Sequence, residues 1–251
     1  MKCGSRFHLF GLCCIVLFSV GIGFAEETGL VTDRPDFTES PVVVPQASVQ
    51  LETGLTWAEA KDVETISGPE VLIRWGFVRD LELRIGLPDY TDVRGGRDRS
   101  GWEDASVGLK WQLGPVSDWD FAVIAEATLP TGAEHRTSDE IDPGLILIAG
   151  RDLSDRWSFG AQLELARPSA VDGRASVFGG TVVLGLGVSD EVGTFFEIKA
   201  DKEEDVDTGV LLHHGWTYLL SRTLQIDAHL AAGLTDTAPD WLLGVGLSAR
   251  F

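Results

Sequence analysis

The sequence predicts an all-β protein, a single antiparallel 12-stranded transmembrane β-barrel. Three observations predict this fold: apolar residues recur at every second position, short and long connections alternate, and tryptophans lie near strand ends. A period of two is typical of strands that show one face to an apolar phase. Tilted strands of about 9–11 residues are long enough to cross the hydrocarbon core of a membrane.

The alternation begins at residue 47 and continues to the last residue of the chain. The predicted strands cover residues 47–57, 71–77, 81–87, 105–113, 119–129, 144–153, 157–166, 178–188, 192–200, 210–220, 224–234 and 241–251. Two of them are less regular. Residues 144–153 are apolar on both faces, and the strand at 210–220 must place either His213 or His214 on an apolar face.

The connections between these strands fall into two classes. The short ones lie at 78–80, 114–118, 154–155, 189–190 and 221–222, and the longer, polar ones lie at 58–69, 88–101, 130–142, 167–174, 201–209 and 235–240. Short periplasmic turns and long external loops are typical of outer-membrane barrels. With an even number of strands, both ends of the barrel fall on the periplasmic side.

The tryptophans favour a membrane barrel over a soluble sandwich, whose strands also alternate. Near the short turns lie Trp75, Trp111, Trp119, Trp157 and Trp216, and near the long loops lie Trp57, Trp102 and Trp241. This placement predicts two aromatic girdles. The last strand ends in Phe251, which resembles the C-terminal signal that the barrel-assembly machinery reads in bacterial outer membranes.

Residues 1–25 are predicted to be a secretory signal peptide. Lys2 and Arg6 form its basic region, an apolar stretch follows at 9–20, and Gly23 and Ala25 form a small-residue cleavage site. All three cysteines lie in this segment, so disulfides are not expected to stabilise the mature chain. The net charge of −19 argues against nucleic-acid binding, which requires a basic surface.

The inward positions of the predicted strands carry charges of both signs. The candidate lumen-lining residues are Glu52, Arg74, Glu82, Arg84, Asp104, Lys110, Asp120, Glu126, Glu164, Glu197, Lys199, Asp227 and His229. Charges on an inner wall require water or ion pairs across the lumen. Two interpretations remain open: a polar conduit or ligand chamber, and a salt-bridged plug that only stabilises the barrel.

Residues 26–46 precede the first strand and contain three prolines, which prevent ladder pairing and predict irregular backbone. The stretch from Thr32 to Pro41, followed by Val44, Pro45 and Gln50, resembles the start of mature chains in the MetA-pathway-of-phenol-degradation family of outer-membrane transporters. The alternating pattern extends this resemblance to the end of the chain. It implies an outer-membrane channel for passive passage of small molecules, with aromatic or hydrophobic compounds as solutes.

By analogy with channels for hydrophobic compounds, one hypothesis is that residues 26–46 enter the lumen as a hatch. The candidate hatch residues are Asp33, Arg34, Pro35, Asp36 and Glu39. The alternative is a periplasmic tail. The domain organisation is then a signal peptide at 1–25, this segment at 26–46 and the barrel at 47–251.

We expect neither enzymatic activity nor a cofactor or metal. The pattern G-x-G-x-x-A at 244–249 is too close to the end of the chain for the helix that a dinucleotide site needs. His135 and Ser138 share a long loop, but nothing in the sequence orients them for catalysis. The expected partners are outer-membrane lipids, the barrel-assembly machinery and an unidentified small solute. The alternative function is a closed-lumen structural or ligand-binding barrel in the same membrane.

Overall fold

The structure, a computed structural model, describes residues 29–95, 99–170 and 173–251. The predicted signal peptide at 1–25 and its cysteines lie outside the described residues. Within the described ranges, no helix is long and apolar enough to cross a membrane.

In the described residues, the barrel has twelve antiparallel strands, each paired with its neighbours in sequence, and a separate short hairpin pairs Ser169–Ala170 with Gly173–Arg174. The strands are β1 (Val49–Ala60), β2 (Val63–Gly68 and Leu72–Val78), β3 (Leu81–Gly86 and Tyr90–Arg94), β4 (Gly101–Trp102 and Ala105–Val116), β5 (Trp119–Leu129), β6 (Asp142–Asp152), β7 (Trp157–Ala166), β8 (Val177–Gly187), β9 (Val192–Glu203), β10 (Gly209–Ser221), β11 (Leu224–Gly233) and β12 (Trp241–Arg250). The predicted fold class and strand order are confirmed.

The sheet closes into a barrel because its first strand pairs with its last. The β1–β12 ladder is antiparallel and runs from Gln50 opposite Arg250 to Glu59 opposite Trp241. In lipid, an unpaired backbone N–H or C=O costs several kcal/mol, so an open edge is not stable there. Closure satisfies the backbone groups of both terminal strands.

The prediction that residues 58–69 and 88–101 form loops is partly wrong, because strand pairing extends into both ranges. β1 continues to Ala60 and reverses at Lys61 and Asp62, whose φ angles are +50° and +67°. Positive φ at both central residues matches the tight hairpin turn that fits the twist of paired strands. The outer segments of β2 and β3 then pair with each other.

Proline marks two of the breaks within these strands. Pro69 separates the segments of β2, and Pro88 separates those of β3. Proline has no N–H to donate to a ladder, so it interrupts the pairing locally. Its carbonyl remains available, and the Pro69 oxygen accepts a hydrogen bond from the Gly54 N–H at 2.9 Å.

The outer face of the barrel is apolar, and the inner face is polar. Large apolar side chains that are exposed on successive strands include Leu55, Leu109, Leu147, Leu163, Val182, Ile198, Leu212, Leu230 and Val245. The alternate positions carry buried polar side chains such as Gln50, Gln162 and Gln225. Exposure of so many contiguous apolar groups is stable only against lipid, so the barrel lies in a membrane.

Leu163 in β7 tests this orientation, since its side chain is 65% exposed on the outer face. We expect Leu163→Arg to reduce the free energy of unfolding by about 2 kcal/mol or more, because a lipid-facing arginine costs about 2–4 kcal/mol near the bilayer midplane. Equilibrium unfolding by urea in lipid vesicles measures the loss.

The control for this substitution is Leu234→Arg, in the connection between β11 and β12. Leu234 is similarly exposed, at 59%, but lies outside the strands. Surface substitutions of this kind usually change the free energy by less than about 0.5 kcal/mol. Equal effects of the two substitutions would show that the outer face is not lipid-facing.

Candidate functional site: a charged cluster and the N-terminal segment

Five charged side chains from the first four strands meet on the inner wall. We call this set the central cluster; it consists of Glu52, Arg74, Glu82, Arg84 and Lys110. Strand alternation turns all five inward, and the ladder places Arg74 opposite Arg84 and Glu82 opposite Lys110. Arg74, Glu82 and Lys110 have no exposed surface, so water does not reach the wall at this depth.

Within the central cluster, Arg74 binds two carboxylates of the wall. Its Nε donates to Glu82 at 2.8 Å, and its Nη1 donates to Glu52 at 2.8 Å. Arg84 Nη1 also donates to Glu82, at 3.0 Å. Buried charges are tolerated only when they are paired in this way.

The described part of the N-terminal segment, residues 29–46, lies inside the barrel. It forms neither helix nor strand before β1 begins at Val49. Its contacts reach the inner wall on opposite sides: Arg34 binds Asp227 on β11, Glu39 binds Arg84 on β3, and Thr38 bonds to Thr181 on β8. One short segment can contact all of these strands only from within the lumen.

Asp33 of this segment lies among the three cations of the central cluster. Its carboxylate is 3.0 Å from Arg74 Nη1, 2.5 Å from Arg84 Nη1 and 3.1 Å from Lys110 Nζ. Burial alone would raise the pKa of Asp33, but the charges of Arg74, Lys110 and Arg84 outweigh burial and hold the pKa well below its usual value. Asp33 is therefore ionised at neutral pH.

Glu39 is the second carboxylate that the segment brings to the cluster. Arg84 Nη2 donates to both of its oxygens, at 2.8 and 2.9 Å. Lys110 Nζ lies 3.9 Å from the same carboxylate. Both bonds start from the same nitrogen, so the contact is a bifurcated, charge-assisted hydrogen bond.

Wall carboxylates in turn accept the backbone N–H groups of the segment. Glu52 accepts from Asp33 and Arg34, with the shortest distance 3.0 Å. The remaining contacts follow the same scheme: Glu197 with the N–H groups of Phe37 and Thr38, Glu82 with that of Val44, Gln162 with that of Glu39, and Gln112 with that of Val43. Irregular backbone inside a protein needs such partners because it makes no ladder of its own.

Arg34 lies over a gap in the inner wall that two glycines create. Gly54 of β1 and Gly246 of β12 face each other across the closing ladder. A Cβ atom on either residue would overlap the Arg34 guanidinium, so this guanidinium would have to move from its position. Arg34 there binds Glu70 at 2.7 Å and Asp227 at 3.3 Å.

A buried pair of histidines supports Glu197 on the opposite wall. His213 Nδ1 is 2.7 Å from the Glu197 carboxylate, and His213 Nε2 is 2.9 Å from His229 Nδ1. The Phe37 ring of the segment packs on His213, with centroids 4.4 Å apart. His213 is thus the inward residue of its pair, while His214 faces outward and stacks on Phe196.

The other predicted lumen-lining residues lie away from the central cluster. Asp104 accepts the N–H groups of Thr131 and Gly132 and so anchors a long loop. Lys199 pairs with Asp201 at 3.3 Å and lies 4.9 Å from the centroid of the Phe37 ring. Glu126 lies against Gly144, and Glu164 against Gly179, nearer the long loops.

The segment and strands β5 to β8 enclose a cavity of about 430 Å³. Asp120 and Asp36 line it, the latter from the segment.

Pro35, which follows a cis peptide bond, lies between Arg34 and Asp36. Phe251 is exposed at the end of the chain, and its backbone N–H and C=O both pair with Val49.

An apolar patch adjoins the central cluster on the inner wall. It consists of Ala122, Ile124, Ile146 and Ile148, all buried. Ile124 lies directly opposite Lys110 in the β4–β5 ladder. The patch explains why residues 144–153 are apolar on both faces: their inward side chains pack inside the barrel while the alternate ones face lipid.

Sequence reasoning missed the uncharged polar residues of the site. Gln112, Gln162 and Thr181 form hydrogen bonds with the segment. The sequence pattern did not show whether His213 lies on the inner or the outer face, and the structure places it inside, next to Glu197. Their inward positions in the alternation were the available signal, because glutamine is rare on a lipid-facing surface.

Several solved structures share the fold at low sequence identity. An outer-membrane channel from Pseudomonas putida F1 matches with a TM-score of 0.66 and 11% identity, over 83% of this chain and 97% of that one. The NanC porin matches with a TM-score of 0.59 and 8% identity, over 79% and 98%. The KdgM porin in complex with disordered oligogalacturonate matches with a TM-score of 0.57 and 9% identity, over 82% and 99%.

These likenesses show the fold, which is that of outer-membrane barrels. No curated protein sequence matches the chain. A family model does match it over residues 32–251, from the start of the threonine-to-proline stretch to the terminal phenylalanine, and it confirms the resemblance predicted from that stretch. The chain belongs to the family described as "Putative MetA-pathway of phenol degradation".

Proposed function

We propose that the protein is an outer-membrane channel for passive passage of small molecules, and that its N-terminal segment acts as a hatch. The observation that carries this proposal is the absence of exposed surface on Arg74, Glu82 and Lys110. In an open pore these inward charges would face water. Here the segment covers them at mid-lumen, in a chain whose fold is that of channels and porins.

The contacts that hold the segment can be exchanged for water. They are ion pairs and hydrogen bonds to the wall, such as Arg34 with Asp227 and Phe37 with Glu197. Each such bond contributes a net of only about 0.5–3 kcal/mol, because water supplies replacement hydrogen bonds when the segment leaves. A hatch of this kind can leave the lumen without unfolding the barrel.

The solute is proposed to be a small aromatic or hydrophobic compound. The family description refers to phenol degradation, and the inner wall carries the apolar patch around Ile124 and Ile146. The named solved relatives are channels and porins, which supports transport rather than catalysis. We further propose that lipids cover the outer face and that the assembly machinery reads the strand ending in Phe251.

Thr38 and Thr181 allow the hatch to be locked. Their hydroxyl oxygens are 2.6 Å apart, and all cysteines of the chain lie within residues 1–25. We expect Thr38→Cys with Thr181→Cys to form a disulfide, whose sulfurs bond at about 2.05 Å. Ion current in planar bilayers should disappear on oxidation and return on reduction.

The single variants Thr38→Cys and Thr181→Cys are the controls, and oxidation should not affect them. A locked double variant that conducts as well as its reduced form would refute the hatch. Absence of current from the wild type and all variants over a wide voltage range would favour the closed-lumen structural barrel instead.

Arg34→Gln is expected to open the channel more often. The substitution removes the ion pairs with Glu70 and Asp227 that hold the hatch at the glycine gap. Hydrogen bonds to charged groups contribute about 1.5–3 kcal/mol each. Loss of even one of these bonds predicts a rise of at least roughly tenfold in the open fraction, measured from single-channel records.

Arg79→Gln provides the matched comparison, since Arg79 lies on an exposed turn and pairs with Asp80 at 3.7 Å. Its open fraction should equal that of the wild type. If both arginine variants behave alike, Arg34 does not hold the hatch.

A further inference from the structure

We propose that Arg74, Arg84 and Lys110 form a binding site for the carboxylate of an apolar monocarboxylic acid, which the chain's own Asp33 and Glu39 occupy in this structure. This inference rests on the proposed function, because the site becomes available only when the hatch leaves. It names the class of solute that the channel would select: a single carboxylate attached to an apolar body.

The geometry around Asp33 is that of a carboxylate recognition site. Two guanidinium groups and one ammonium group approach the same carboxylate, at distances from 2.5 to 3.1 Å. Planar guanidinium groups match the two oxygens of a carboxylate, and the ammonium adds a point charge. A solute carboxylate would meet the same three donors.

The charge balance of the wall depends on the hatch. The central cluster carries three cations and two carboxylates, Glu52 and Glu82. With Asp33 and Glu39 in place, four carboxylates face three cations; without them, two face three. The central cluster therefore gains a net positive charge when the hatch leaves, and this local charge attracts an anion.

Lys110 is the residue that most needs a replacement partner. Within the part of the chain that the structure describes, its ammonium forms ion pairs with Asp33 and Glu39, and both belong to the hatch. Arg74, by contrast, keeps Glu52 and Glu82 of the wall. Glu82, which stands opposite Lys110 in the ladder, is already bound by Arg74 and Arg84, so departure of the hatch removes both direct ion pairs of Lys110 and leaves its ammonium available to an anion.

The surroundings of Lys110 indicate what the carboxylate is attached to. Ile124 stands opposite Lys110 in the ladder, and Ile146 stands opposite Ile124. An apolar body next to a bound carboxylate would pack on this patch and be stabilised by the removal of apolar surface from water. Glu126 and Glu164, further along the wall, oppose a second negative charge on the solute.

The test uses benzoate as the probe, with benzamide as its neutral counterpart, on the full chain in detergent. In the variant carrying Asp33→Asn and Glu39→Gln, the hatch no longer supplies its two carboxylates to the cluster. We expect calorimetry to show benzoate binding at least tenfold tighter than to the wild type, and no such change for benzamide. Adding Lys110→Met should remove the gain.

Asp155→Asn is the matched control, because it also removes a carboxylate but lies in the exposed turn between β6 and β7, outside both the hatch and the cluster. It should bind benzoate as the wild type does. Glu39→Gln alone provides a second test if the double variant misfolds. It should show part of the increase in benzoate affinity. Equal binding of benzoate and benzamide, or a gain that survives Lys110→Met, would overturn the proposal.

Ion currents separate this inference from the proposed function. Lys110-dependent benzoate binding without current in any variant would support the site and refute the channel. Currents that neither benzoate nor Lys110→Met alters, together with absent benzoate binding, would keep the channel and refute the site.

Discussion

The pairing of buried charges is the constraint on which the rest of this structure depends. Inside the barrel, Arg74, Glu82 and Lys110 are shielded from water, and each needs an opposite charge. Arg74 and Glu82 pair with each other, and the N-terminal segment supplies Asp33 to both Arg74 and Lys110. The relation is mutual, since the irregular backbone of the segment needs acceptors and finds them in Glu52, Glu82 and Glu197.

The twelve strands could be predicted because lipid and lumen impose opposite demands on alternate residues. That signal fades beyond the bilayer, where water contacts both faces of a strand. The outer segments of β2 and β3 were therefore missed, and Pro69 and Pro88 reinforced the impression of loops. His213 and His214 are adjacent, so composition could not decide between them; pairing of His213 with Glu197 decides it.

The site was less predictable than the fold. Alternation indicates the side of the strand on which Arg74 or Lys110 lies, but not the partner that it meets. The partners depend on the stagger of neighbouring strands, which places Glu82 opposite Lys110. Asp33 comes from a segment with no period at all, and its three contacts follow only from the three-dimensional path of the chain.

The glycine gap under Arg34 has a consequence for the order of biogenesis. Gly54 belongs to the first strand and Gly246 to the last, so the gap exists only after these strands have joined. Arg34, which precedes every strand of the barrel, can thus take its observed position over both glycines only after the last strand has paired. The observed position of Arg34 therefore requires a closed barrel. A chain truncated before its final strand lacks Gly246 and with it one side of the gap.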